Sequence, residues 1–270
     1  MSTTISASLV KELRDATGAG MMDCKRALEE TGGDLDAART LLRERGMALA
    51  GKRAGRATSE GLVGYHQSES RITMVAVGCE TEPVSKNDEF QAFAKSVLDA
   101  VEAGGPEAAS ELEAERVALV GKLGENIVVT GAERYEAASG ETLGAYAHPP
   151  ANKLGVVVKL QGGTPELARQ LAMHISFGRP EWVSKEDVPA EVVDAEKQIL
   201  LNSDELAGKP EQAKEKIVEG MLAKRFFAAA PGGALLEQAW IHDAGKSVRA
   251  ALDEAGATVS AFERISVAGS

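Results

Sequence analysis

The chain has 270 residues, 44% of them apolar and 26% charged, with a formal net charge of −11. That length supplies a sizeable core and two or three domains, and the composition excludes disorder throughout. The acidic balance argues against direct nucleic-acid binding, which draws on clustered Lys and Arg to neutralise phosphates.

Residues 6–46 read as three short amphipathic helices. Leu9, Val10, Leu13 and Ala16 follow Ser6 and Ser8 as candidate N-caps; Met21, Cys24 and Leu28 form a second stripe; Asp34 can cap a third helix with Leu35, Ala38, Leu41 and Leu42 inward. Met21 and Cys24 are therefore expected in the core, Cys24 as a buried structural thiol. "GMALAGKRAGRATSEG" is a helix tail and Gly-rich basic linker. Its "GKRAGR" is the one basic patch able to contact phosphate, although so short a run is more simply a solvated linker.

Two β-compatible runs, "GLVGYHQ" and "RITMVAVGCE", then precede a helix with Phe90, Phe93, Ala94, Val97 and Val101 on one face. The order returns in "ETLGAYAH", "KLGVVVKL" and "PELARQLAMHISF". Tyr65 and Tyr146, and Val75 and Val156, are each separated by 81 positions, the mark of a duplicated α+β module. Between the two, residues 107–123 should be helical and "ENIVVTGAERYEA" should add a strand to the first module. "PAEVVDAEKQILL" and "PEQAKEKIVEGMLAKRFFAAA" flank the breaker "NSDELAGKP" as two adjacent helices able to form an antiparallel arm, and the chain closes on a helix and a last strand.

No GxxxxGK[ST], HExxH or GxSxG string occurs, the four histidines are dispersed, and the two cysteines have no metal-ligand spacing. No metal, cofactor or enzyme chemistry is expected. The absence of an n-region and h-region in "MSTTISASLVKELRDATG", and of any run of about 18 apolar residues, makes a soluble cytoplasmic protein with no membrane contact the default. A binding protein needs exposed hot spots on rigid element ends. "VGCETEPVSKNDEF" offers one: Pro83 ends the strand and biases Glu82 away from the α region, so an extended tip should present Glu82 outward. The competing reading is a solvated turn in which Asn87 or Asp88 caps the next helix.

Read together, "LVKELRDATGAGMMDCKRALEETGGDLDAARTLLRERG", "CETEPVSKNDEF", "LAMHIS", "RPEWVSKEDVP" and "GKPEQAKEKIVEGMLAKRFF" resemble the bacterial elongation factor Ts family over nearly the whole chain. The resemblance implies an α+β fold: an N-terminal three-helix bundle of ubiquitin-associated type, two hairpin-plus-helix core subdomains and a helical arm. The boundaries expected are 1–50 for the bundle, 51–60 for the linker, 61–139 for the first subdomain, 140–188 with 227–264 for the second subdomain and C-terminal module, and 189–226 for the arm. It further implies a translation factor that binds elongation factor Tu carrying GDP and accelerates GDP release, without covalent chemistry, in a complex compatible with a homo-oligomeric form. The loop matching Thr81, Glu82, Pro83 and Val84 is implied to act beside the partner's nucleotide and dislodge its magnesium ion. The family commonly has Thr-Asp-Phe-Val there, so Glu82 keeps the carboxylate while Pro83 replaces a large aromatic wedge by a small rigid ring. Met173, His174, Met22 and Lys25 are the further partner-binding candidates; for His174 the alternative is burial on the flank of the Leu171 stripe.

Overall fold

The computed structural model describes residues 5–269, so the first four residues of the expected N-terminal bundle lie outside the described residues. Helix α1 (Ala7–Thr17) starts where the Ser6 hydroxyl accepts the Leu9 N–H, and α3 (Leu35–Arg53) where Asp34 accepts from Asp36 and Ala37. Between them lies α2 (Met21–Glu30). Val10, Leu13, Cys24, Ala27, Leu28 and Ala38 meet in one small core. Burial raises the Cys24 thiol above its ordinary value, which fits a structural role.

Met21 departs from expectation: it is 54% exposed. The helix begins at Met21 itself, and its buried residues, Cys24, Ala27 and Leu28, all lie further along, so the first turn projects past the bundle core. Helix α3 also runs into the stretch read as linker, because Leu49 and Ala50 pack on the core of the next module.

That module is built from β1 (Glu60–Gln67), β2 (Arg71–Cys79) and β3 (Val128–Glu136), antiparallel in the order β1-β2-β3. The second sheet, β4 (Glu141–Ala147), β5 (Leu154–Gln161) and β8 (Thr258–Ser266), has the order β4-β5-β8. Strands alternate their side chains between two faces, so a central strand buried on both sides reads as an unbroken apolar run. In β2, Val75, Val77 and Cys79 face helix α5 (Asp88–Gly104), whereas Ile72, Met74 and Ala76 join Leu143, Ala145, Val157 and Ile265 between the sheets. In β5, Val156, Val158 and Leu160 face helix α7 (Pro165–Gly178). The layers are therefore helix, sheet, sheet, helix.

The duplication holds in topology but not in register. Tyr65 pairs with Met74, whereas Tyr146 pairs with Val156, one position further along than an 81-residue copy requires. Each third strand joins with a register shift, between Ala76 and Val77 in the first sheet and between Lys159 and Leu160 in the second.

Helix α6 (Glu113–Leu123) connects bundle and module: a Cβ on Gly121 would lie 3.2 Å from the Cα of Gly46, so α3 and α6 meet through glycines. In the arm, α8 (Ala190–Leu201) and α9 (Glu211–Met221) enclose Leu200, Leu206, Val218, Met221 and Leu222. Phe226, in the π-helical turn after α9, packs on Trp182 with ring centroids 6.0 Å apart. A short hairpin, β6 (Ala239–Trp240) and β7 (Asp243–Ser247), and helix α10 (Val248–Glu254) lead into β8.

Candidate functional site

Strand β2 ends at Cys79, and the residues after it make a tip held from below. Thr81 is extended, with φ −131° and ψ 153°, but Glu82–Ser85 then close a single helical turn, α4, through Ser85 N–H to Thr81 O at 3.2 Å and Lys86 N–H to Glu82 O at 3.2 Å. This corrects the expected extended tip. Pro83 sits in the first turn, where its missing N–H forfeits no helical hydrogen bond and its fixed φ suits the helix. Asn87 then caps α5, its side-chain oxygen accepting from Glu89 and Phe90.

Thr81, Glu82 and Pro83 are exposed, and Val84 is half-buried against the core beneath. The Glu82 side chain is 64% exposed and pairs with Lys86 at 2.6 Å; the Lys86 hydrogen bond and charge hold its carboxyl below the usual range. The tip thus presents an ionised carboxylate on a single helical turn.

Two carboxylates anchor the tip, and sequence reasoning singled out neither. Glu125, in the loop after α6, accepts the N–H groups of Glu80 and Thr81 at 3.1 and 3.0 Å on one oxygen and the Thr81 hydroxyl at 2.5 Å on the other. Glu80 in turn accepts Asn126 N–H at 2.7 Å, Arg53 at 2.8 Å and Arg56 at 3.1 Å, and the Asn126 amide donates to Arg56 O at 2.7 Å. The Asn126 N–H, then Arg56 and Arg53, hold the Glu80 carboxyl below the usual range. Arg53 and Arg56 belong to the patch read as a solvated linker; they tie the end of α3 to the tip. Beneath them Cys79 donates its thiol to Thr81 O at 3.3 Å, and burial, with the Glu125 charge second, pushes that thiol up to about 12. It remains a neutral donor.

Met173 and His174 lie on α7, in the other module. Met173 is half-exposed, with Arg169 donating to its sulfur at 3.6 Å. His174 has no exposed surface, as the alternative reading of burial on the flank of the Leu171 stripe expects. Its Nδ1 accepts the Ile241 N–H at 3.3 Å, so its Nε2 carries the proton and donates to Gln238 Oε1 at 2.8 Å, while the ring stacks on Trp240. Gln238 donates to Gly178 O, Ala229 O and Gly232 O. A Cβ on Gly178 would lie 2.5 Å from Gln238 Oε1, so glycine is required at that contact. Desolvation lowers the His174 pKa and keeps the ring neutral.

Met22 is 60% exposed on α2, and Lys25 is half-exposed beside Glu29 at 3.7 Å. The candidates thus fall on three elements, the tip, α7 and α2, and no hydrogen bond or ion pair joins those sets among the described residues. Among the same residues no group of three His, Cys, Asp or Glu could hold a metal ion, and no helix is long and apolar enough to cross a membrane.

Comparison with known proteins agrees over nearly the whole chain. A family described as "Elongation factor TS" matches residues 80–269. The protein named "Elongation factor Ts" from Thioalkalivibrio sulfidiphilus is 43% identical over 98% of this chain and 92% of its own. Those of the same name from Enterobacter sp. and Shewanella amazonensis are 42% and 44% identical, each over 97% of this chain and over 91% and 90% of their own.

Proposed function

The chain belongs to the elongation factor Ts family, and from that premise we propose that it binds the GDP form of elongation factor Tu and promotes GDP release. It does so by perturbing the partner's magnesium and phosphate site, and it stays bound until GTP loads. It works in the cytoplasm as a non-catalytic guanine nucleotide exchange factor, with no covalent step.

The observation that carries this reading is the tip, an exposed Glu82 carboxylate on a one-turn helix anchored through Thr81 to Glu125. A carboxylate brought to a magnesium–phosphate site competes for the cation and repels the phosphates, and it does so most strongly when its position is set before contact. Pro83 contributes stiffness rather than an aromatic anchor, so the rest of the binding energy falls to other contacts, for which Met22, Lys25 and Met173 are the candidates. If the chain weakens GDP on its partner by some factor, GDP weakens the chain's own binding by the same factor, which makes the ternary complex release either ligand.

The test is release of a fluorescent GDP analogue from elongation factor Tu, followed by stopped flow with excess unlabelled nucleotide as the chain is titrated. Saturable acceleration that lessens as magnesium is raised is the expected result. Binding without acceleration would replace exchange by a scaffolding or chaperone role.

A further inference from the structure

We propose that Glu125 is the positioning residue of the exchange tip, holding Thr81–Val84 in the pose that delivers Glu82; the proposal rests on the exchange function above. A single helical turn does not stand alone, because fixing its dihedrals costs more than its few hydrogen bonds return. The usual remedy is a side-chain cap, but Thr81, the N-cap of α4, makes none. Its hydroxyl is directed to Glu125 instead.

One carboxylate thereby takes three donors from the two residues preceding the turn, two backbone N–H groups and a hydroxyl. Bonds to an ionised acceptor are shorter and stronger than neutral ones, and two oxygens gripping two consecutive residues fix direction as well as place. Glu80 returns the connection by accepting the Asn126 N–H, so the end of β2 and the loop before β3 hold each other reciprocally. Among the described residues the Glu82 side chain is paired with Lys86 alone, and the Ser85 hydroxyl donates to the Glu82 carbonyl at 2.8 Å, both local contacts that move with the turn, so the direction in which Glu82 points is inherited from Thr81 and hence from Glu125. Glu125 needs no contact with the partner to set the rate.

Two variants test this, Glu125→Ala and the isosteric Glu125→Gln, which keeps one acceptor oxygen for the backbone N–H groups but loses the charge and turns a donating amide NH2 toward the Thr81 hydroxyl, which in the wild type donates to Glu125. Stopped-flow GDP release gives the rate at saturation and the half-saturating concentration; amide hydrogen exchange at Glu80 and Thr81, with Phe93 and Val97 as controls, reads the tip itself. In Glu125→Ala the saturating rate should fall about tenfold or more, since displacing a positioned group by an ångström has effects of that size. The half-saturating concentration should change less than about threefold, separating an effect on the exchange step from one on binding. The Glu80 and Thr81 amides should exchange faster while the controls stay unchanged, and Glu125→Gln should fall between wild type and Glu125→Ala. If Glu125→Ala does not fold, Glu125→Gln makes the same comparison.

A wild-type saturating rate in Glu125→Ala, or a rise in half-saturating concentration alone, overturns the proposal. A wild-type chain that does not accelerate release removes the exchange function and this proposal together; wild-type acceleration with an unaltered variant removes this proposal only.

Discussion

The imidazole Nε2 of His174 lies 2.8 Å from the side-chain oxygen of Gln238, and neither residue has exposed surface. This contact joins α7 to the segment entering β6, and through the Gln238 amide to the carbonyls of Gly178, Ala229 and Gly232, where the arm returns to the module. A protonated ring could not accept the Ile241 N–H and would place a buried charge beside Trp240.

Acid should therefore loosen this junction. Burial lowers the His174 pKa in the folded chain below its ordinary value of 6.5. Its stabilising contribution is complete above 6.5 and is lost as pH falls from there toward the folded value, because the unfolded chain binds a proton that the folded one refuses. One group contributes a slope of at most about 1.4 kcal/mol per pH unit. Urea unfolding followed by tryptophan fluorescence at about pH 7.5 and about pH 5.5 should show the decline, and a folded His174→Gln variant should show less of it.

Replacing Glu82 and Pro83 together by Ala should lower the saturating GDP-release rate by about tenfold. Both side chains point into solvent, so the unfolding midpoint should stay that of the wild type. An unchanged release rate would mean that the tip is a solvated turn.

Asn87 ends the tip and starts α5, accepting two backbone N–H groups. Asn87→Ala should cost about 1 kcal/mol in urea unfolding, the usual loss of a helix cap. A smaller decrease in release rate should accompany it, because the lost side-chain cap fixes the residue whose backbone N–H closes the turn onto Val84 O at 3.0 Å.

Met22→Ser removes an exposed apolar side chain from α2. Stability should stay within about 0.5 kcal/mol of wild type. Calorimetric titration of nucleotide-free elongation factor Tu should show weaker binding if α2 is part of the interface; equal affinity would place α2 outside it.

Local chemistry carried much of the fold into the sequence. Ser6, Asp34 and Asn87 cap the helices they precede, and the doubly apolar runs of β2 and β5 announce strands buried on both faces. The repeated strings carry the family. These features are readable because capping and face periodicity act within a few residues. Others were settled only by tertiary structure: Met21 projects past the bundle, His174 turns inward onto Gln238, the Glu-Pro stretch closes a turn, and the basic linker becomes the anchor of Glu80. The clearest case is Glu125, which binds Thr81 from 44 positions away. Nothing near either residue specifies that contact. It follows from β3 pairing with β2, which sets Gly78 opposite Val128 and so brings the end of one strand beside the start of the other. Strand register, decided by how two sheets bury their apolar faces against each other, chooses the partners of the polar groups at the strand ends.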